Sequence, residues 1–263
     1  MFESCGLLAA TSPLSEVTSK VLFQKGGFVF TNHMYMVTLS TVLLMVVFPL
    51  ALRRRRLVPH GFGSVIEAIC LYIREEVVRP FLHDRTDRYI VFLWTMFFFI
   101  LTLNLLGLTP LDRIMWLILR RPNHLGGTAT ANVWVTGALA GAAFLLFHFA
   151  GIREQGLWQY IKNFAPRVPW PLMPFIFLME VVSSFVRMFS LAIRLFANML
   201  AGHVLLATIL MLILMFQNYF VATASTMFGV VMSLMEIFVA FLQAYIFVFL
   251  TTIFIGLSVH PEH

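Results

Sequence analysis

Charged side chains occur at a regular spacing inside the most apolar third of this chain. Glu180, Arg187 and Arg194 lie seven residues apart. Seven residues of α-helix return to within about 20° of the same face, so the three residues form one stripe. An arginine near the centre of a bilayer costs roughly 2.5 to 3.5 kcal/mol on insertion scales. Arg194 therefore needs a function, and since a guanidinium keeps its proton in proteins, we expect it to act as a fixed positive charge.

The stripe continues toward the C-terminus with small and amide side chains. Asn198 follows Arg194 by four residues, and Gly202 follows by four more. Residues at this spacing are neighbours on a helix surface, and a glycine there lets a second helix approach closely. The sequence therefore predicts a close helix contact at Gly202.

A second apolar run places an acid near an imidazole. Glu236 and Gln243 are again seven apart, and a polar break at residues 217–219 separates this run from the first. If the two runs are antiparallel helices, His203 and Glu236 fall at similar depth. A buried carboxylate beside an imidazole can accept and release protons. We therefore expect this pair to handle protons.

Simpler interpretations stay open for the same residues. Glu180 and Arg187 can form an ion pair or extend toward the membrane edge. His203 can form a hydrogen bond between helices, and the amide side chains of Asn198 and Gln243 can hold helices together in the same way.

Other chemistry is not indicated. The chain has no nucleophile elbow, phosphate-binding glycine loop or zinc-ligand spacing, so we predict no metal, no cofactor and no hydrolysis by this chain itself. Two cysteines receive no role. The remaining histidines are interpreted as interface or packing residues: His33, His60, His83, His124 and His148.

Composition predicts the class of protein that positions these side chains. Only 11% of residues are charged and 60% are hydrophobic. Several stretches of twenty or more residues carry no charge, which is typical of an all-α polytopic membrane protein. The formal charge of +6 arises from basic residues that lie mostly in short loops, including four arginines at 53–56. That placement indicates membrane topology and not nucleic-acid binding.

Hydropathy predicts a single membrane domain with five parts. Residues 1–27 form an outer N-terminal segment without a cleavable signal, 28–52 the first span, 62–82 an amphipathic helix at the interface, and 89–152 a transmembrane hairpin. Residues 170–259 form two helices of about forty residues. Each is ~60 Å long, twice the hydrocarbon thickness, so each must tilt strongly or bend. Such a hairpin offers a long flank to a curved partner inside the membrane.

Basic residues predict the orientation. Eleven of the 18 lysines and arginines lie in the loops at 53–88 and 153–167, while five lie before the first span or between the second and third spans. The positive-inside rule therefore places the N-terminus outside and the C-terminus inside.

The run SLAIRLFANMLAGH closely resembles the hallmark of subunit a of the F-type ATP synthases. The resemblance extends to NLLGLTP, TATANVWVTGALA and LQAYIFVFLTTIFIGLSVH. It implies that Arg194 is the essential arginine facing the ring of c-subunits, with Asn198 beside it and Gln243 opposite it on the last helix. It also implies an inner proton path at Glu180 and an outer path at His203 and Glu236; some members carry the last two residue types in reverse order.

One position departs from the family. Some members carry an acidic residue just before the proline of NLLGLTP, where this chain has Gly107. The outer path must then depend on His203 and Glu236, and on Asn104 or Asn132.

The resemblance also implies partners and a location. The partners are the c-subunit ring, the b-subunits of the peripheral stalk, the remainder of the ATP synthase and the lipid bilayer. The inner membrane of a bacterium is the favoured location, with a mitochondrial inner membrane or thylakoid as the alternative, and the coupling ion is expected to be the proton and not sodium.

Two competing functions belong to other classes. In a secondary transporter or pump, an intramembrane arginine can bind an anionic substrate, but such folds usually show internal repeats or broken helices that this sequence lacks. A membrane scaffold without an ion path would not need Glu180, Arg194, His203 and Glu236 at different depths.

Overall fold

The structure, a computed structural model, describes residues 21–25, 28–52, 61–109, 128–163 and 170–259. These residues are almost entirely helical, and among them five helical segments are long and apolar enough to cross a membrane. The chain is an all-α polytopic membrane protein, as its composition predicted. Its elements in chain order are β1 (Val21–Lys25), β2 (Phe28–Thr31), α1 (Asn32–Leu52), α2 (Phe62–Tyr72), α3 (Arg79–Leu82), α4 (Thr86–Leu108), α5 (Val133–Gln155), α6 (Leu157–Asn163), α7 (Met173–Phe216) and α8 (Tyr219–Val259).

The first helix begins later than hydropathy predicted. The expected span started at residue 28, but β1 and β2 pair as an antiparallel hairpin and α1 starts at Asn32. β2 consists of Phe28, Val29, Phe30 and Thr31, and aromatic and β-branched residues of this kind favour strands. A short apolar run has the same hydropathy in a strand as in a helix, which explains the difference.

The segment predicted to lie at the interface is an amphipathic helix with an extra residue in one turn. A π-helical turn, Ile73–Val78, joins α2 to α3. It places apolar residues on the buried face while the charged residues face outward. The helix ends at His83, whose backbone φ of 45° is unusual for a residue other than glycine.

Two long helices occupy the C-terminal third. α7 has 44 residues and α8 has 41, or about 66 and 62 Å of helix. The break falls at Gln217 and Asn218, inside the polar run that the sequence indicated. Gln217 adopts a positive φ of 46°, and the Asn218 Oδ1 caps α8 by accepting the Phe220 backbone N–H at 3.1 Å. α7 itself runs unbroken through Glu180, Arg187 and Arg194.

α7 is the least covered of the long helices. Only 6% of its most apolar stretch is buried within the chain, against 39% for α8. Such an apolar surface needs lipid or another protein against it.

Two compact units, each assembled from three separate stretches, make up the chain. The first contains residues 1–44, 99–136 and 194–243, and the second contains 45–98, 137–193 and 244–263. The core of the first includes Met36, Ile100, Leu103 and Leu195, and that of the second includes Leu82, Leu93, Phe247 and Ile255.

Candidate functional site

Arg194 lies on an exposed face of α7. Leu195 and Met199 are buried, whereas Arg194 itself is exposed. Within the part of the chain that the structure describes, its guanidinium forms no ion pair or hydrogen bond. Arg194 is thus a fixed positive charge on an apolar helix, available to a group outside these residues.

The other two charges of the stripe are paired with each other. The Arg187 Nη2 lies 2.9 Å from the Glu180 Oε1, and the Arg187 guanidinium also stacks over the ring of Phe254, 5.5 Å from its centre. The simple ion pair that the sequence allowed is therefore present. The carboxylate is not sealed off, because the Glu180 side chain keeps 39% of its surface exposed.

Glu236 packs against the bare backbone of α7 at Gly202. A β-carbon at position 202 would collide with the Glu236 Oε1 and would lie 3.1 Å from Cδ. The predicted close approach at Gly202 is thus made by a carboxylate. Both carboxylate oxygens are buried and have no hydrogen-bond partner among the described residues. His203, the next residue along α7, lies close enough for its charge to act on Glu236.

His203 points both ring nitrogens at backbone carbonyls. Its Nδ1 lies 3.0 Å from the Met199 oxygen and its Nε2 lies 3.1 Å from the Gly107 oxygen. A neutral imidazole donates through one nitrogen only, whereas an imidazolium donates through both. A neutral ring can therefore donate to only one of the two carbonyls at a time.

Steric crowding explains why this chain has Gly107 where some family members carry an acidic residue. A β-carbon there would overlap the Thr128 methyl group and would lie 3.2 Å from the Met199 Cε. A carboxylate side chain has no room at this position. The Gly107 carbonyl, which faces His203, supplies the acceptor instead.

This close packing leads to a prediction for Gly107→Ala. Overpacking a core position costs roughly 1 to 3 kcal/mol. We expect Gly107→Ala to lower the yield and thermal stability of the purified complex, measured by gel filtration and thermal unfolding. Gly141→Ala is the matched control, because a β-carbon at Gly141 meets nothing within 4 Å. Equal stability of the two variants would contradict this account of Gly107.

The two asparagines proposed for the outer path differ in position. Asn104 is fully buried; its Nδ2 donates to the Ala240 carbonyl at 3.4 Å and its Oδ1 has no partner among the described residues. Asn132 caps α5 instead, since its Oδ1 accepts the Trp134 N–H at 2.9 Å. Asn104 therefore has hydrogen-bonding capacity to spare, whereas the Asn132 oxygen is already used.

Asn198 follows Arg194 by one turn of the same helix, whereas the family alone implies that Gln243 lies opposite Arg194. Gln243 is buried, and its Nε2 has no hydrogen-bond partner among the described residues. Asn198 is half-buried one turn after Arg194. Whether either amide meets Arg194 stays a prediction.

Sequence reasoning missed several polar groups in the first unit. His33, Thr128 and Thr130 are buried, and each has a side-chain polar atom without a partner among the described residues. His33 hydrogen bonds with the backbone of Thr128, and Thr128 packs on Gly107. A line of contacts therefore runs from His33 through Thr128 and Gly107 to His203 and then Glu236. The unpaired polar atoms along this line can hydrogen bond with ordered water.

The signal that could have revealed His33 was weak. It is the second residue of an apolar helix, and a histidine there is common at an interface. Only the fold brings it to Thr128.

Comparison with known proteins decides the family. The family described as ATP synthase A chain matches residues 34–256. The chain belongs to the ATP synthase A chain family. Every site residue described above lies inside the matched range or, for His33, one residue before it.

Three curated relatives carry the corresponding name. ATP synthase subunit a of Myxococcus xanthus (strain DK1622) is 40% identical over 238 residues, covering 89% of this chain and 74% of the relative. ATP synthase subunit a of Anaeromyxobacter sp. (strain Fw109-5) is 36% identical over 251 residues, covering 94% and 58%. ATP synthase subunit a 2 of Chlorobaculum tepidum is 34% identical over 234 residues, covering 87% and 62%. The chain thus spans about three fifths of the length of the last two relatives.

Proposed function

We propose that this chain is the stator subunit of the membrane sector of an F-type ATP synthase. It provides two offset half-channels through which protons reach and leave the carboxylates of the c-subunit ring, and so couples proton flow to rotation and ATP synthesis. The observation that carries the proposal is Arg194, an exposed cation without a partner among the described residues, on the least covered apolar helix of a chain in the ATP synthase A chain family.

The outer half-channel consists of polar groups of the first unit. A proton enters along the line from His33 to His203 and Glu236, then neutralises a ring carboxylate. The unpaired oxygens of Glu236 can accept this proton, and the His203 ring can hold one between two carbonyls. Asn104 and Gln243 offer further hydrogen-bonding capacity to water on this path.

Arg194 separates the two paths. It draws the ring carboxylate into its ionised form, because an ion pair in an apolar setting favours the charged acid. A fixed positive charge also repels a proton that would otherwise pass straight between the paths. Each proton crossing the membrane supplies about 2.3 kcal/mol per 100 mV, which the ring delivers as torque.

The inner half-channel passes Glu180. Its pairing with Arg187 does not oppose this role, because the carboxylate stays partly exposed. A proton released from the ring reaches the inner surface along this side. The b-subunits and the remainder of the ATP synthase hold the chain in place while the ring turns.

We place the protein in the inner membrane of a bacterium, with the N-terminus outside and the C-terminus inside. The basic loops support this orientation. Similarity to subunits of Myxococcus and Chlorobaculum supports the bacterial membrane.

Disulfide cross-linking tests whether the Arg194 face meets the ring. Ala197 is exposed three residues after Arg194. In the whole complex with the native cysteines replaced by serine, Ala197→Cys should cross-link to a cysteine placed beside the c-subunit carboxylate, with a shifted band on a non-reducing gel. Met199→Cys, on the buried side, is the control and should give little product. Equal products from both positions, or none from Ala197→Cys, would reject this interface.

A further inference from the structure

A hydrogen-bonded chain of side chains lies in the second unit, apart from the residues used above. The Ser184 Oγ lies 3.0 Å from the His148 Nε2, and the His148 Nδ1 lies 2.6 Å from the Tyr160 hydroxyl. Tyr160 also hydrogen bonds with the side chain of Ser258. These hydrogen bonds therefore link four helices: Ser184 lies on α7, His148 on α5, Tyr160 on α6 and Ser258 on α8.

The cluster is next to the inner half-channel of the proposed function. Ser184 lies one turn after Glu180 and one turn before Arg187 on α7. The charges of Glu180 and Arg187 act on Tyr160, and that of Arg187 acts on His148. The other end of the cluster lies on α6, in the loop that the positive-inside rule places at the inner surface.

Each member has the chemistry to pass a proton without keeping it. Serine and tyrosine hydroxyls both donate and accept, and an imidazole can take a proton at one nitrogen and release one from the other. Burial raises the pKa of the Tyr160 hydroxyl above its ordinary value, with the Ser258 hydrogen bond and Arg187 acting in the opposite sense. Tyr160 is thus a neutral member that passes a proton on.

Aromatic rings also pack against His148. Its ring packs against Phe144 and Phe147, with ring centres 4.3 and 4.5 Å away. If position 148 served only for packing, a phenylalanine would fill it as well as a histidine does. Here both of its nitrogens are engaged by hydroxyl groups.

We propose that Ser184, His148 and Tyr160 form a proton relay that connects the inner half-channel at Glu180 with the inner membrane surface. The relay rests on the proposed function. Ser184 gives its hydroxyl proton to the His148 Nε2 as it receives one from the path. His148 releases its Nδ1 proton to Tyr160, and the Tyr160 hydroxyl proton leaves toward Ser258 and water.

The transfer is balanced. One proton enters at Ser184, one leaves from Tyr160, and every member ends uncharged. Rotation of the hydroxyls and a flip of the imidazole ring restore the starting arrangement.

Tyr160→Phe is the sharpest test. It removes one oxygen and keeps the ring, which packs against Gly151. We expect passive proton flux through the membrane sector, measured in inverted vesicles stripped of the catalytic head, to fall roughly tenfold. This is less than the about 100-fold that a positioned acid–base group contributes to catalysis, because water replaces part of the relay. Tyr89→Phe is the matched control, since Tyr89 is a buried tyrosine of the same unit outside the relay.

Chemical rescue of His148→Ala distinguishes a role in proton transfer from a role in packing. Imidazole added to the vesicles should restore flux, whereas pyrazole, which has the same shape but is a far weaker base, should not. If His148→Ala prevents assembly, Tyr160→Phe decides, because it leaves the packing intact. Wild-type flux in Tyr160→Phe overturns the relay. It leaves the proposed function standing as long as Arg194→Ala blocks pumping; normal pumping in Arg194→Ala would reject the function itself.

Discussion

Arg194→Ala is expected to abolish ATP-driven proton pumping in inverted vesicles that contain the whole complex, down to the level of vesicles without it. The guanidinium is exposed on α7 and has no ion pair or hydrogen bond among the described residues, so its removal breaks none of these within them. What it removes is the charge that, in the proposed mechanism, ionises each ring carboxylate in turn. ATP hydrolysis by the detached catalytic head should be unchanged.

The same variant should also alter passive flux. In the proposed mechanism the fixed charge repels a proton from the direct route between the two paths, so without it membranes stripped of the head should leak protons without turning the ring. Quenching of a pH-sensitive dye measures both effects. Arg194→Lys should also pump poorly, because a lysine is a compact charge that can lose its proton when buried.

Arg153→Ala is the matched control. Arg153 is an exposed arginine near the C-terminal end of α5. Its loss removes the same net charge from the chain, so pumping should stay at the wild-type rate. If Arg194→Ala pumped as well as Arg153→Ala, the arginine would have no part in translocation.

The charge stripe shows what spacing alone can predict. A repeat of seven residues was enough to place Glu180, Arg187 and Arg194 along one helix, because helical geometry is local. It also allowed the ion pair between Glu180 and Arg187 that the structure contains. It did not indicate Phe254, which lies sixty-seven residues after Arg187 in the sequence and meets its guanidinium only in the folded chain.

The two glycines were predictable to different extents. Gly202 was expected at a close helix contact because small residues mark such places in membrane helices. That the contact would be a carboxylate, Glu236, depended on the register between α7 and α8, which a turn of two residues determines. The fit of Gly107 against Thr128 and Met199 involves three distant parts of the sequence and has no local signature.

The start of the first helix and the roles of the histidines were hidden for related reasons. Hydropathy measures transfer from water and does not separate a strand from a helix, so β2 was included in the first span. His33 and His148 lack ligand-like spacing, and the sequence alone indicates interface or packing roles for them. Their partners, Thr128 for the first and Ser184 and Tyr160 for the second, lie on other elements.

Glu236→Gln is expected to slow passive proton flux roughly tenfold or more while the subunit still assembles with the ring. Glutamine keeps the shape that packs against Gly202 but cannot take up a proton, which the proposed outer path requires of Glu236. Flux through head-stripped vesicles measures the first expectation, and co-purification of the c-subunits measures the second. Glu67→Gln, which changes an exposed carboxylate on α2, is the control and should leave flux unchanged.

Exchanging the two residue types separates proton handling from shape. If the outer path needs one carboxyl and one imidazole in either order, the double variant His203→Glu with Glu236→His should conduct better than Glu236→His alone. Gly202 favours this result, because its bare backbone leaves space beside position 236, and the Gly107 carbonyl still offers an acceptor near position 203. Recovery in the double variant would identify the pair as the proton carrier. If Glu236→Gln instead conducted normally, or lost its c-subunits, Glu236 would be a packing residue and not part of the path.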